Sequence, residues 1–475
     1  MKNIFNCAGI LLLDLLLIST SSLAQVKRHT YNSAAAQVQV YFNTQQPEKI
    51  YGMTSDIFRQ KMTAQQFATG MNKFAVQTGK WVNFAFAAEN EKGIDYTAVF
   101  ENSTQLFSIK LDSMGKISRL NFALVPVIIA TKNYRVPSNN LLKDSLDRLV
   151  EQLVRPYIQK GNTSGLVLAI IDKEKIRRYS YGTTDKTVQA LPDASTTIFE
   201  IGSITKTFNS LVLAKEVIAG RMKLNDPINK YLPNTIPMLN FQGHPITLEQ
   251  LANHTSGFPR LPENIFLGKI NSQDPYKHYV ADSLYSYLKH YRPSVIPGSK
   301  FSYSNFGAGV LSTILERTKK KTFEQLIVSE ICIPLGMKNT TVTLNDSQQK
   351  NFAQGYNEKG KATAPWDLAS LKGSGAIRST LNDMVIYARA QMGMENRLNK
   401  AIDLSHQATF DGKSESMGLG WRINTTAKHQ HLHHSGGTGG FRSFVGFDLN
   451  RQLAVVILSN AAEDVTAIGE YILSR

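Results

Sequence analysis

Phe199-Glu200-Ile201-Gly202-Ser203-Ile204-Thr205-Lys206 leads into a long apolar run, and the reading of that stretch decides the fold. From Ile204 to Ala219 most residues favour helix, and Ile204, Phe208, Leu211, Val212, Leu213, Val217 and Ile218 cover more than one face. A helix apolar around most of its circumference is a buried one. Gly220 closes it. Ser203 then stands at the N-terminus of a buried helix, where the dipole and free N–H groups favour negative charge. Lys206, three residues on, shares its face one turn away. A serine hydroxyl is a poor nucleophile at neutral pH and needs a nearby base. A lysine whose pKa is drawn by burial from about 10.4 towards roughly 7–8 can supply one. Taken alone, the tetrapeptide reads as an ordinary helix with a capping serine.

Two later islands change that balance. Pro297-Gly298 precedes Phe301-Ser302-Tyr303-Ser304-Asn305, after which a helix begins. Tyr303 can act as general base or proton relay beside a cation that lowers its pKa. Asn305 can offer its amide to the lysine or to a substrate. The plainer account is a core tyrosine and an N-capping Asn305. The third island is His434-Ser435-Gly436-Gly437-Thr438-Gly439-Gly440-Phe441. Glycines this dense at a strand let a substrate backbone come close. The N–H groups of Gly437 and Ser203 would form an oxyanion hole. His434 and Ser435 are candidates to hold a substrate carboxylate or stabilise the leaving group, and Gly436 belongs to the same contact strip. With an ordinary pKa near 6.5, His434 would change charge within the working pH range.

His429, His431 and His433 alternate on the same strand and could share a face. No carboxylate or cysteine sits at ligand spacing beside them, so a solvated, partly charged strand face is the expectation, and no metal site is assigned. Cys7 and Cys332 are the two cysteines of the chain. Cys332 lies in an apolar helix expected over Phe323 to Ile333 and reads as a buried inert thiol.

Met1-Lys2-Asn3, an apolar stretch from Ile10 to Ile18, and Ser22 and Ala24 at the end of a small-residue run make a secretory leader, with cleavage after Ala24. No later stretch is long enough to cross a membrane, so the mature chain is expected to be exported, periplasmic or secreted. The formal net charge is +16. Lys2 and Asp14 cancel, so removing the leader keeps that balance. It favours anionic surroundings such as cell-envelope polymers. The dense basic run, Arg317 with Lys319-Lys320-Lys321, falls at a helix C-terminus and needs no ligand. No nucleic-acid motif accompanies it.

At 475 residues the chain exceeds one ordinary domain. After the leader (1–24), residues 25–130 read as a small α+β domain. Helices are expected over Ala34–Asn43 and Pro47–Phe74. Four strands follow, Trp81–Ala88, Ile94–Glu101, Leu106–Leu111 and Ile117–Leu124, with turns at Gly93, Asn102-Ser103 and Met114-Gly115. The pattern resembles the cone-like ketosteroid-isomerase fold and lacks an acid/base pair, so it reads as an accessory module. Residues 131–140 form a linker and 141–475 the second domain. There a helix over Leu141–Lys160 precedes a hairpin, Val167–Ile171 with Ile176–Ser180. Helical segments fill the middle. Strands Phe441–Asp448 and Leu453–Asn460 and a helix over Val465–Leu473 close the chain. An antiparallel sheet built from both ends of a domain around a helical insert is an α+β architecture.

The second domain resembles the class C β-lactamase-related, penicillin-binding-protein-like serine hydrolases, which include DD-peptidases, D-aminopeptidases and esterases. S-x-x-K followed by a second polar triplet and a third K-T-G-like triplet is their arrangement. Leu251-Ala252-Asn253-His254-Thr255-Ser256-Gly257-Phe258-Pro259 is similar to their H-T-S-G-L-P segment, and Gly373-Ser374-Gly375-Ala376-Ile377-Arg378-Ser379-Thr380 to their G-x-G-G-L-x-S-T segment. Pro334-Leu335-Gly336-Met337 matches their P-L-G-M turn. The resemblance implies Ser203 as the acylated nucleophile, Lys206 as its activating partner, Tyr303 as proton relay and Asn305 as polar support, with no metal or organic cofactor. His434 stands where the K-T-G motif has lysine. A neutral imidazole binds a carboxylate less firmly than an ammonium does, which counts against efficient β-lactamase action. The implied substrate is a small molecule or peptide: first an amide with a D-residue, as in cell-wall stem peptides, then a small ester, then a β-lactam. A non-catalytic sensor of cell-wall fragments is the rival, and it has no need of Ser203, Lys206 and Tyr303 together.

Overall fold

The computed structural model describes residues 28, 30–90, 93–101, 104–124, 136–267, 271–394, 396–412, 416–425 and 430–475. The leader, residues 131–135 of the linker and His429 lie outside the described residues. The chain divides between residues 128 and 129 into two compact units.

In the first unit, helices α1 (residues 30–43), α2 (Pro47–Gly52) and α3 (Ala64–Thr78) precede a four-stranded antiparallel sheet. Its strands β1 (Trp81–Asn90), β2 (Gly93–Phe100), β3 (Thr104–Leu111) and β4 (Ile117–Leu124) lie in sequential order. The single helix expected over Pro47–Phe74 is broken, because local caps compete with its continuation. Ser55 caps a short turn at Asp56–Arg59, and a capping box between Thr63 and Gln66 starts α3 afresh. Val38 and Phe42 of α1 and Phe67 and Met71 of α3 share one core with Trp81, Tyr96, Phe100 and Phe107 of the sheet.

The second unit is built on β5 (Gly165–Asp172) and β6 (Lys175–Gly182). From Leu166 to Ile171 every β5 side chain is apolar and buried, so the strand needs cover on both faces. Leu166, Leu168 and Ile170 pack with Val150 and Leu153 of α4 (Ser145–Ile158) and with Ile468 and Ile472 of the C-terminal helix. Val167, Ala169 and Ile171 enter a larger core with Phe208 and Leu211 of α5 (Thr205–Ile218). The chain leaves the sheet after β6 and returns at β7 (Phe410–Asp411). It continues as β8 (Ser416–Met417), β9 (Arg422–Thr425), β10 (Gln430–Gly437), β11 (Arg442–Asp448) and β12 (Leu453–Ser459). The eight strands run in the order β7-β8-β9-β10-β11-β12-β5-β6, antiparallel throughout. The first strands of the unit and the last ones are therefore neighbours, and the intervening residues carry the site.

Two boundaries differ from expectation for local reasons. Helix α4 begins at Ser145 rather than Leu141, because Asp144 accepts the N–H groups of Leu146 and Asp147 and fixes the start there. Residues 136–140 instead run along β6. The Gly182 N–H donates to the Pro137 carbonyl, the Asn139 side chain accepts from Ser180 N–H, and Asn140 Nδ2 donates to Tyr181 Oη. The helix expected over Phe323–Ile333 passes through a π turn, Val328–Cys332. Cys332 is buried, and burial pushes its thiol up to about 12, so it stays an inert packing group. No described helix is long and apolar enough to cross a membrane.

The stitching of residues 136–140 to β6 is testable. A chain truncated to begin at Val136 keeps it, and one beginning at Leu141 loses several hydrogen bonds of about 1 kcal/mol each. Both should unfold cooperatively, the shorter one with a Tm several degrees lower by calorimetry. Equal Tm values would show that the segment contributes nothing to this unit.

Candidate active site

Ser203 sits in a single 3-10 turn, Gly202–Ile204, that feeds directly into α5. Lys206 follows on the first turn of the helix and is only 2% exposed. Its Nζ donates to Ser203 Oγ at 3.1 Å, to Asn305 Oδ1 at 2.9 Å and to the Ser374 carbonyl at 2.6 Å. Those are the three directions an ammonium has. Among the described residues no carboxylate pairs with it. Burial holds its pKa below the ordinary lysine value, with the Tyr303 hydroxyl opposing and the Arg260 charge assisting. The two carbonyl-type acceptors have no proton to give, so in the neutral amine they keep the two N–H groups. The lone pair is then left for the third direction, towards the Ser203 hydroxyl. This arrangement can remove a proton from Ser203.

Asn305 is free for this contact because it is not the helix cap. Ser304 takes that place, accepting Gly307 N–H at 2.8 Å, and Asn305 opens α6 (Asn305–Lys319). The Tyr303 ring lies 4.8 Å from Lys206 Nζ. The three islands therefore meet, and a fourth segment holds them. His254 has a left-handed backbone (φ 63°). Its carbonyl accepts Ser302 N–H, its Nδ1 accepts Ser304 N–H, and its ring lies 4.4 Å from that of Tyr303. The H-T-S-G segment is thus the clamp on the tyrosine loop.

The glycines of the third island divide their labour. A side chain on Gly436 would put Cβ 2.0 Å from the Ile201 carbonyl oxygen, and one on Gly202 would put it 2.6 Å from Gly437 N. Backbone thus meets backbone where β10 crosses the serine turn, and Gly436, expected as a substrate contact, is packed beneath that turn. Thr438 N–H donates to the Phe441 carbonyl across the β10–β11 turn. Ladder alternation then turns Gly437 N–H away from β11, on the side of the serine turn. Ser203, Asn305, Ser374, Gly437, Trp366 and Leu371 are among the walls of a small cavity of about 30 Å³. Beyond Trp366 and Leu368 opens a groove of about 620 Å³. Glu200 holds this wall from behind, accepting Trp366 N–H at 3.0 Å and pairing with Arg378 at 3.3 Å. Burial raises its pKa, and the Arg378 charge opposes the rise.

His434 departs from expectation. Its ring lies 6.3 Å from that of Tyr303, as a residue of this site should, but it is 2% exposed. Its Nδ1 donates to the Ser435 carbonyl at 2.7 Å. Burial, and then the charge of Lys206, push its pKa well below the ordinary histidine value. That direction disfavours the imidazolium, the form that would pair with a carboxylate as a cation. Ser435 is half-buried, contributes that carbonyl, and sits opposite Phe444 in the ladder. The neighbouring strand face is not a charged one either. His433 is buried with a pKa lowered to about 3 by burial, and Asn424 Nδ2 reaches Nε2 of both His431 and His433. Among the described residues no three His, Cys, Asp or Glu side chains gather as a metal site would.

Fold and site together define a serine hydrolase with a serine–lysine pair. The family model described as Beta-lactamase matches residues 150–473, and the chain belongs to that family. It is 26% identical to a β-lactamase of Pseudomonas fluorescens over 352 residues, 66% of this chain and 93% of that protein. It is 28% identical over 331 residues to the D-alanyl-D-alanine-carboxypeptidase/endopeptidase AmpH of Escherichia coli (strain K12), 66% of this chain and 83% of the relative. Among solved structures, a β-lactamase/D-alanine carboxypeptidase from Pseudomonas syringae superposes with a TM-score of 0.61 at 25% identity. It covers 69% of this chain and 98% of its own.

The state of His434 can be read by NMR. Its imidazole resonances should not titrate between pH 8 and 5. A midpoint near 6.5 would restore it as a charged contact.

Proposed function

We propose that this chain is an exported hydrolase that forms an acyl-enzyme on Ser203 and acts on an amide or peptide with a D-residue of the cell-wall type. A small ester is the next choice. The observation that carries the reading is the Lys206 amine, buried 3.1 Å from Ser203 Oγ with its other two directions fixed by Asn305 and Ser374. Lys206 takes the Ser203 proton as Oγ attacks the scissile carbonyl. The N–H groups of Ser203 and Gly437 hold the oxyanion. Tyr303 relays the proton from Lys206 to the leaving nitrogen as the C–N bond breaks. Water then attacks the ester, its proton returns to Ser203 by the same route, and the acid departs. These steps call on no metal or organic cofactor.

Two relatives support the substrate class, since their names pair carboxypeptidase with D-alanine. Hydrolysis of β-lactams is the second reading, favoured by relatives named β-lactamase. The neutral His434 weighs against it, because the strand then offers no cation to a β-lactam carboxylate. A non-catalytic sensor would have no use for a lysine desolvated beside a serine. The first unit is read as an accessory module. Export rests on the leader-like residues 1–24, and the +16 charge suits an anionic envelope.

Ser203→Ala should abolish the adduct with a fluorophosphonate, read by intact-mass spectrometry, and lower turnover by about four orders of magnitude or more. Near-wild-type turnover in that variant would sink the mechanism.

Lys206→Arg keeps the charge but cannot accept a proton near neutrality. Labelling should slow at least about a hundredfold, the scale of general-base catalysis, in protein whose circular dichroism is unchanged. In the wild type only the neutral amine accepts a proton. Labelling should therefore accelerate with rising pH and level off below the pH at which a free lysine would. A rate that falls as pH rises through neutrality would remove Lys206 as the base.

A further inference from the structure

Gly437 is a glycine for a reason other than room for substrate. It stands opposite Arg442 in the β10–β11 ladder. A Cβ on Gly437 would lie 3.1 Å from Arg442 Nη1 and 3.3 Å from its Cδ and Cζ, so the arginine side chain already takes the space. Folded back across the ladder, Arg442 Nη1 donates to the Thr438 carbonyl at 2.8 Å and to the Phe441 carbonyl at 2.9 Å. Those residues are the two ends of the β10–β11 turn, which the Thr438 N–H closes on the Phe441 carbonyl. One cation thus ties the two strands together at the residue after Gly437. Ser443, the next residue of β11, acts on the other side. It is opposite Gly436, 1% exposed, and donates its hydroxyl to the Ile201 carbonyl at 2.7 Å, just ahead of the serine turn. Outside the turn, Arg442 pairs with Glu358 at 3.9 Å, on a side chain 81% exposed, and an exposed pair of that kind is weak. Gly437 and Thr438 are walls of the cavity that contains Ser203, and Arg442 is not.

We propose that Arg442 is a positioning residue of the oxyanion site, holding the turn that Gly437 enters so that the Gly437 N–H stays aimed beside the Ser203 N–H. The inference rests on the acyl-enzyme reading above, and it names what keeps one of the two donors in place. A glycine donor needs such a hold. Without a Cβ, Gly437 has more backbone freedom than any other residue would have there. An oxyanion donor is effective because it needs no reorientation as charge develops. A charged donor binds a carbonyl more strongly than a neutral one, and a donor that reaches two carbonyls fixes the turn at both ends. Ser443 does the matching work for the serine turn, so two consecutive residues of β11 hold the two halves of the oxyanion site from outside the cavity. Arg442 touches neither substrate nor reacting atoms and adds no step to the chemistry.

The test is the fluorophosphonate adduct on Ser203, whose phosphonyl oxygen takes the place of the oxyanion. Labelling rate, read by intact mass, and the phosphorus NMR resonance of the adduct are compared in wild type, Arg442→Met and Arg442→Lys. Arg442→Met should label at least about tenfold more slowly, short of the hundredfold or more that loss of a whole oxyanion donor costs. The pH dependence of its rate should not move, since that belongs to Lys206, and its phosphorus resonance should leave the wild-type position. Arg442→Lys keeps a charged donor and should recover both the rate, to within about threefold, and the resonance. Labelling of Arg442→Met at the wild-type rate, or slowed labelling with the resonance unmoved, overturns the assignment and leaves the acyl-enzyme reading intact. So does Arg442→Lys as impaired as Arg442→Met. Should Arg442→Met fail to fold, Gly437→Ala serves instead: it keeps the N–H and presses the guanidinium from its place, and an adduct resonance at the wild-type position overturns the assignment. A wild type that does not label, or labelling that survives Ser203→Ala, overturns the acyl-enzyme reading itself, and this inference with it.

Discussion

A lysine held in the interior without a counter-ion is the constraint on which the rest of this site depends. Moving an unpaired charge out of water is expensive, and the usual outcome is a group that prefers to be neutral. Lys206 meets that condition inside α5, whose residues from Thr205 to Ala214 are buried. Its three contacts come from the adjoining serine turn and from two distant segments, the start of α6 and the turn before Gly375. None is a carboxylate. A carboxylate in any of those places would have held the ammonium charged and removed the base. The choice of amide and carbonyl oxygens is therefore chemical as well as geometric. It also explains why Ser304 rather than Asn305 caps α6, since a capping Asn305 would have its Oδ1 turned to the backbone.

The second constraint is close approach. The strand that carries Gly437 must cross the serine turn within backbone contact, or its N–H cannot share an oxyanion with Ser203. Gly202, left-handed at φ 50°, and Gly436 make that crossing feasible. Gly439 and Gly440 have a different reason: a Cβ at the first would strike the Trp366 indole, and one at the second the Thr363 hydroxyl and the Gly355 backbone. The run of glycines thus serves protein–protein packing on both flanks of the single position, Gly437, whose N–H is left over. Glu200 and Arg378, buried behind Trp366, keep the opposite wall in register with that strand.

Much of the site was legible because its chemistry is local. Ser203 and Lys206 share a helix face by spacing alone, and Tyr303 and Asn305 announce themselves by their triplet. The α+β sheet assembled from both ends of the second unit could be read from apolar runs at either end. What the sequence withheld are properties set by the third dimension. His434 is placed by its motif, but its charge depends on burial and on Lys206, neither visible along the chain. The Ser374 contact is made by a backbone carbonyl, which no side-chain pattern reveals. His254 was quoted within a family segment without a role, because its work is to bond the backbone of residues 302–304. Helix starts moved by several residues where Asp144 and Thr63 capped them, since a cap competes with periodicity and wins locally.

Two histidines lie beside the Tyr303 ring, and burial acts on them as it does on Lys206. His434 Nδ1 must carry a hydrogen to reach the Ser435 carbonyl, so in the neutral ring Nε2 is a bare acceptor. His254 Nδ1 must be bare to accept from Ser304 N–H, so its Nε2 carries the hydrogen. Backbone contacts alone thus lock the rings in opposite tautomers. Among the described residues neither Nε2 has a partner, although a buried unpartnered polar atom costs about 1–3 kcal/mol. Burial and the nearby cations keep both rings neutral. Tyr303 therefore lies between two rings whose ionisation burial disfavours. Lys206 Nζ and the Arg260 guanidinium both lie close to its ring. At this point β10 contributes a buried imidazole and the glycines that let the serine turn approach it.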